Sequence, residues 1–256
     1  MRAIKITGKA ALFLFVLCFL GAFSRPVSTA NIASAASVND YRKQFQKERA
    51  FTAVDVSGAS KKQVRKLFYK TKISNKLFER IYGKSYKKNC TVPKSELRYV
   101  RVLHYGFDQQ VHIGELITNK SVADEICQIF YELYQKKYEI EKMVLVDEYD
   151  ADDDLSMADN NTSCFNFRKV TGTAHLSKHS YGLAIDVNPR YNPYVYKKNG
   201  KTVCEPENGK RFQNRKKDFA HKITKKDACY RIFTRHGFSW GGDWKSLKDY
   251  QHFQKK

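Results

Sequence analysis

The segment Ser177-Lys178-His179-Ser180-Tyr181-Gly182-Leu183-Ala184-Ile185-Asp186 places an imidazole and a carboxylate within one short stretch. In an extended chain alternate side chains share a face. Leu183, Ile185 and Val187 therefore enter a core, while Ala184, Asp186 and Asn188 face the other way. Gly182 permits a sharp turn before the strand, so His179 folds back toward Asp186. Both side chains are good zinc ligands. A histidine hydrogen-bonded to an aspartate in a turn is the alternative reading of this segment alone. The C-terminus adds Asp249-Tyr250-Gln251-His252-Phe253, after the aromatic, glycine-rich stretch Gly237-Phe238-Ser239-Trp240-Gly241-Gly242-Asp243-Trp244. His252 is a third donor. Asp249, just before it, is placed to move a proton without ligating the metal. Three protein ligands with one position open is the arrangement of a catalytic zinc rather than a structural one.

The elements that must position these residues are helices and strands interspersed without regular βαβ spacing, which predicts an α+β fold with a small, mainly antiparallel sheet flanked by helices. Lys61–Thr71 and Ser74–Ile81 read as two short basic helices, the second with a serine N-cap and a stop at Gly83. Leu97–Tyr105 and Val111–Ile117 read as a hairpin around Asp108-Gln109-Gln110. Ser121 is expected to cap a helix whose apolar face is Val122, Ile126, Ile129, Phe130 and Leu133, with Cys127 on the same stripe. Met143–Val146 reads as a short buried strand. A strand follows at Leu183–Val187, and a last helix ends near His236-Gly237.

The N-terminus reads as an export signal. Arg2, Lys5 and Lys9 precede an apolar run, Ala10–Phe23, of 14 residues, and Ala33-Ser34-Ala35-Ala36 offers a cleavage site. That run is short of the 18 or more residues expected of a spanning helix. The expected organisation is a signal peptide over 1–36, an irregular or helical lead-in over 37–70 and a single zinc-binding domain over 71–256. The protein is expected outside the cell or at the wall, touching the membrane only during export. The 256 residues are 42% hydrophobic and 14% aromatic, enough for a core, which excludes disorder over most of the chain. With 47 Lys+Arg against 26 Asp+Glu the formal charge is +21. Loss of the leader removes four cations and no acid, leaving +17. No helix-turn-helix, zinc-finger or RNP-type signature accompanies this charge, so nucleic acid is not an expected partner. Anionic cell-wall polymers are. Outside the leader lie Cys90, Cys127, Cys164, Cys204 and Cys229, an odd number with no C-x-x-C pair, which excludes a cysteine-based zinc ribbon and leaves at least one thiol unpaired within the chain.

The pattern S-x-H-x-x-G-x-A-x-D followed by D-x-x-H-F resembles the VanY-type zinc D-alanyl-D-alanine carboxypeptidases and the related L-alanyl-D-glutamate endopeptidases of phages and sporulating bacteria. Asp152–Met157, Asn160-Asn161-Thr162-Ser163, Phe165-Asn166-Phe167-Arg168 and Asp186-Val187-Asn188-Pro189 extend the likeness from roughly residue 70 to the end. The resemblance implies one zinc ion held by His179, Asp186 and His252, with Asp249 as acid/base and Arg168 binding substrate. It implies hydrolysis of peptidoglycan stem peptides, with release of a terminal D-Ala first and cleavage between L-Ala and D-Glu second. A non-catalytic wall-binding protein is the third reading. Many relatives carry Glu where this chain has Asp249, although Asp also occurs in the endopeptidase branch.

Competing motifs are weaker. His175 and His179 share the i, i+4 spacing of helical zinc sites but lack the glutamate of H-E-x-x-H. Asp150-x-Asp152-x-Asp154 starts like a calcium loop, yet Leu155 replaces the turn glycine and Asn161 the bidentate glutamate. His104, His112, His221 and His236 have no partner spacing. Trp240 and Trp244 suit either a cleft wall or the core.

Overall fold

The computed structural model describes residues 30–31, 38–170 and 173–256. Of the expected leader only Ala30 and Asn31 fall among these; the rest lies outside the described residues. The chain runs β1 (Ala30–Asn31), α1 (Val38–Lys47), β2 (Val54–Asp55), α2 (Lys61–Arg65), β3 (Tyr69–Lys72), α3 (Asn75–Ile81), β4 (Leu97–Tyr105), β5 (Val111–Asn119), α4 (Ala123–Gln135), α5 (Asp153–Ala158), β6 (Ala184–Asp186), β7 (Tyr194–Lys198), β8 (Lys201–Glu205), α6 (Ala228–Arg235), β9 (Ser239–Trp240), β10 (Lys248–Asp249) and β11 (His252–Gln254). This is an α+β fold. Its sheets are small: β3-β4-β5, β6-β11-β9 and β10-β7-β8 are each antiparallel, and β1 pairs with β2 in parallel.

The long hairpin of β4 and β5 is the scaffold. Ile126, Ile129, Phe130 and Leu133 form the buried stripe of α4 and share one core with Val100, Val102, Ile113 and Leu116 of the hairpin. Cys127 belongs to the same core, as its place on the stripe implied. Phe130 meets Phe233 of α6 edge-on, and Phe233 stacks on Phe253 of β11 at 4.4 Å. That aromatic chain joins the hairpin and its helix to the strand carrying His252.

Four local expectations are corrected. The helix expected over Lys61–Thr71 ends at Arg65. Tyr69–Lys72 instead pairs with β4, because a β-branched and aromatic alternation beside an open strand edge makes backbone bonds that a short basic helix cannot match. Ser121 does not cap α4; its hydroxyl donates to Asn119 Oδ1 and Val122 takes the cap position. Met143, Leu145 and Val146 are buried, but Met143–Val146 is no strand. Asn161 supplies what a neighbouring strand would, accepting from the Val144 N–H and donating to its carbonyl. Residues 38–70 are more than a lead-in: Phe45 is fully buried, and the Arg101 guanidinium holds the Phe45 and Glu48 carbonyls at 2.9 Å. None of Cys90, Cys127, Cys164, Cys204 and Cys229 is in a disulfide.

Candidate active site

Ser177 caps a 3-10 turn, Lys178–Tyr181, and its hydroxyl accepts from the His179 N–H. Gly182 ends that turn at φ +65°, and a Cβ there would stand 2.6 Å from the Asn119 amide nitrogen at the end of β5. The glycine is thus required twice, for its dihedral and for the close approach that lets its carbonyl accept from Asn119 at 2.8 Å. β6 follows, and β11 pairs with it in the register that puts His252 opposite Asp186. Directly opposed residues of an antiparallel pair have neighbouring side chains on one face, so two donors far apart in sequence become adjacent.

Three atoms converge. His179 Nε2 is 3.2 Å from Asp186 Oδ2 and 3.2 Å from His252 Nδ1, and His252 Nδ1 is 2.9 Å from Asp186 Oδ1. All three residues are buried. A tetrahedral ion with ligands about 2.0–2.1 Å away separates them by roughly 3.3 Å, so the triangle has the size that zinc requires. The remaining ring nitrogens are spoken for. His179 Nδ1 lies 2.6 Å from the Cys164 carbonyl, which can only accept, so this nitrogen carries the hydrogen and Nε2 keeps its lone pair. His252 Nε2 lies 3.0 Å from Gln254 Oε1, which fixes the opposite tautomer and directs Nδ1 inward. Hydrogen bonds of this kind orient metal-binding imidazoles, and the donor set fits zinc.

Asp249 belongs to a different sheet. β10 pairs with β7, and the chain crosses to β11 between Asp249 and His252. A 3-10 turn at Gly241–Asp243 lies on Asp249, and a Cβ on Gly241 would come within 2.6 Å of the Asp249 carbonyl oxygen. Asp249 Oδ1 is buried and meets no hydrogen-bond donor among the described residues. Burial raises its carboxyl to about 7; the Asp186 charge adds to this, while His252 and His179 partly oppose it. Burial also works against charge on His252, but the hydrogen bond and charge of Asp186 outweigh it and raise the imidazole to about 9. For Asp186 itself burial is overcome by the two histidines, which hold the carboxyl far below the usual range. One carboxylate is therefore locked as an anion, and its neighbour is poised to exchange a proton near neutrality.

A cleft of about 480 Å³ opens over these groups, and Arg168, Lys178, Tyr194, Glu205 and Trp244 line it. Arg168 is where the resemblance placed a substrate-binding cation, but its Nε is paired with Asp153, the first residue of α5. Its backbone is pinned by Ser180, whose hydroxyl accepts from the Arg168 N–H and donates to its carbonyl. Trp244 tilts over His252 at 5.3 Å, whereas Trp240 is buried in the core. His175 is exposed and takes no part. The run that starts like a calcium loop is structural: Asp152 caps α5 and Asp150 pairs with Lys84. His104 is buried against His112, His221 pairs with Glu139, and His236 pairs with Glu132.

Several residues escaped the sequence reading. Gln254 and the Cys164 carbonyl act through contacts that no spacing encodes. Asn188 at φ 45° reaches back to Glu139 and Glu141, holding the loop before residue 143 against β6. A left-handed asparagine before proline was the one available signal for that role.

Residues 171–255 match the family described as D-alanyl-D-alanine carboxypeptidase. This is a shorter span than the likeness from roughly residue 70 suggested. The chain is also similar to the peptidoglycan L-alanyl-D-glutamate endopeptidase CwlK of Bacillus subtilis (strain 168), 37% identical over 78 residues, which cover 30% of this chain and 38% of that relative. No solved structure matches it. The matched stretch contains His179, Asp186, Asp249 and His252, and so both motifs that carry the resemblance to the D-alanyl-D-alanine carboxypeptidases.

Proposed function

We propose that this chain is a secreted zinc peptidase of the bacterial wall that removes the terminal D-Ala from peptidoglycan stem peptides. The observation that carries the reading is the buried His179, Asp186 and His252 triangle with a partnerless Asp249 oxygen beside it, at the floor of a cleft bearing Arg168 and Lys178. When bound, zinc polarises a carbonyl and acidifies water. Asp249 takes the proton of the attacking water and returns it to the departing amine. Burial raises the Asp249 carboxyl above its usual range in the metal-free chain, which favours a group that both accepts and returns a proton. Asp153 holds the Arg168 guanidinium by its Nε and Nη1 donates to the Lys169 carbonyl at 3.5 Å, leaving Nη2 to face a carboxylate. An enzyme acting at a chain end must recognise that end, and a guanidinium with a lysine beside it supplies charge and geometry for the purpose.

Cleavage between L-Ala and D-Glu is the second reading, favoured by the likeness to CwlK and by the short acid at position 249. Digestion of matched pentapeptides ending in D-Ala-D-Ala, as free acid and as amide, separates the two. Release of free D-alanine from the acid alone is the expected result. Equal cleavage of both, with fragments cut after L-Ala, replaces it with the endopeptidase reading.

A further inference from the structure

Three carboxylates line the cleft: Asp186, Asp249 and Glu205. Asp186 faces two histidines and Asp249 is the acid/base, so only Glu205, at the end of β8, has no role in the chemistry. Its position is set by strand register. Asp249 of β10 is opposite Tyr194 of β7, and Tyr194 is opposite Glu205 of β8. Residues opposed in this way across successive strands project from the same face. Two strand spacings of about 4.8 Å put Glu205 roughly 10 Å from Asp249, with the Tyr194 ring between them. In agreement, the Tyr194 phenol is raised by burial first and then by the charges of Asp249 and Glu205.

Glu205 is half-buried, and one of its oxygens accepts from the Tyr196 hydroxyl at 2.8 Å. That bond orients the carboxylate without neutralising it, and among the described residues Glu205 forms no ion pair. The other cleft charges, Arg168 and Lys178, are cations carried by a separate segment of the chain. An oriented, unneutralised anion on a tyrosine-lined wall is complementary to a substrate cation.

We propose that Glu205 is a subsite for a primary ammonium group of the peptide substrate, roughly 10 Å from the acid/base Asp249. This rests on the peptidase reading above and deepens it by naming the substrate class: peptides with a free amino group one or two residues from the cleaved bond. Two sources present that chemistry, the side-chain amine of a diamino acid and a chain N-terminus, and the side-chain amine reaches the wall without the main chain leaving the cleft.

The test uses the zinc-loaded Asp249→Ala chain, in which peptide binds without turnover, with Trp244 fluorescence as the readout. Kd is measured for a lysine-containing stem pentapeptide and for its Nε-acetyl and Nα-acetyl forms. Capping one amine is expected to weaken binding about three- to tenfold, the range of a charge-assisted hydrogen bond in a partly open cleft. Glu205→Gln, which keeps an acceptor for Tyr196, should bind the free-amine peptide as weakly as the capped one and bind the capped one unchanged. Sensitivity to Nε-capping identifies the side-chain source and sensitivity to Nα-capping the terminus; either supports the subsite. Equal Kd values for all three peptides, or a preference that survives Glu205→Gln, overturn it alone. Absence of binding by any peptide overturns it together with the peptidase reading.

Discussion

Neighbouring groups of the candidate site are held toward different protonation states. Asp186 is held ionised by two imidazoles, while burial pushes Asp249 up to about 7 in the metal-free chain. Their tasks divide accordingly, and so should the effects of mutation. His179→Ala or His252→Ala is expected to lose most bound zinc by elemental analysis. Asp249→Ala should retain the metal and lose on the order of 100- to 10,000-fold in turnover. Zinc loss from Asp249→Ala would instead make Asp249 a ligand. A second consequence concerns protons. In the metal-free chain His252 is raised to about 9 and so is charged at neutrality, and zinc must displace that proton. Apparent zinc affinity should therefore rise about tenfold per pH unit until about pH 9 and then level. Calorimetry at pH 7 in buffers of differing ionisation enthalpy should report net proton release on zinc binding; a buffer-independent heat would refute this.

At the scale of elements, the site stands where two small sheets meet. His179 comes from a 3-10 turn, Asp186 from β6, Asp249 from β10 and His252 from β11, and each is fixed by a neighbour rather than by its own element. The turn holding His179 depends on Gly182 lying against the end of β5. Gly182→Ala adds a methyl that would collide with backbone at a left-handed position, at a cost on the order of 2–4 kcal/mol. Urea unfolding of the metal-free variant should show this loss. Because the displaced turn carries a ligand, zinc affinity should fall as well. A variant with unchanged stability would mean that the turn relaxes without strain.

Over the length of the chain charge is strongly segregated. Residues 60–101 contain 14 Lys+Arg and 2 Asp+Glu, whereas residues 102–160 contain 4 and 14. The basic stretch forms α2, β3, α3 and the start of β4, and Lys72, Lys94 and Arg98 line a groove there. Attachment to isolated walls through such a field is a proposal with a clear salt signature, because exposed charges are screened beyond about 8 Å at physiological ionic strength. Sedimentation with purified walls should show attachment falling steeply as salt rises. Neutralising Lys72, Lys94 and Arg98 together should weaken it without changing hydrolysis of soluble peptides. Attachment indifferent to salt would point to a specific pocket.

The sequence by itself determined the α+β class, the hairpin, the buried face of α4 and the set of side chains able to hold a metal. These follow from short-range periodicity and from residue chemistry, which are local. It misjudged Tyr69–Lys72 and Met143–Val146, where a strand edge and the Asn161 side chain compete for backbone hydrogen bonds from far along the chain. Only the tertiary structure decided that His252 lies opposite Asp186, that Asp249 Oδ1 is left without a donor among the described residues, and that Glu205 shares the Asp249 face. Strand register and burial are properties of contacts between distant segments, and no spacing along a single chain encodes them.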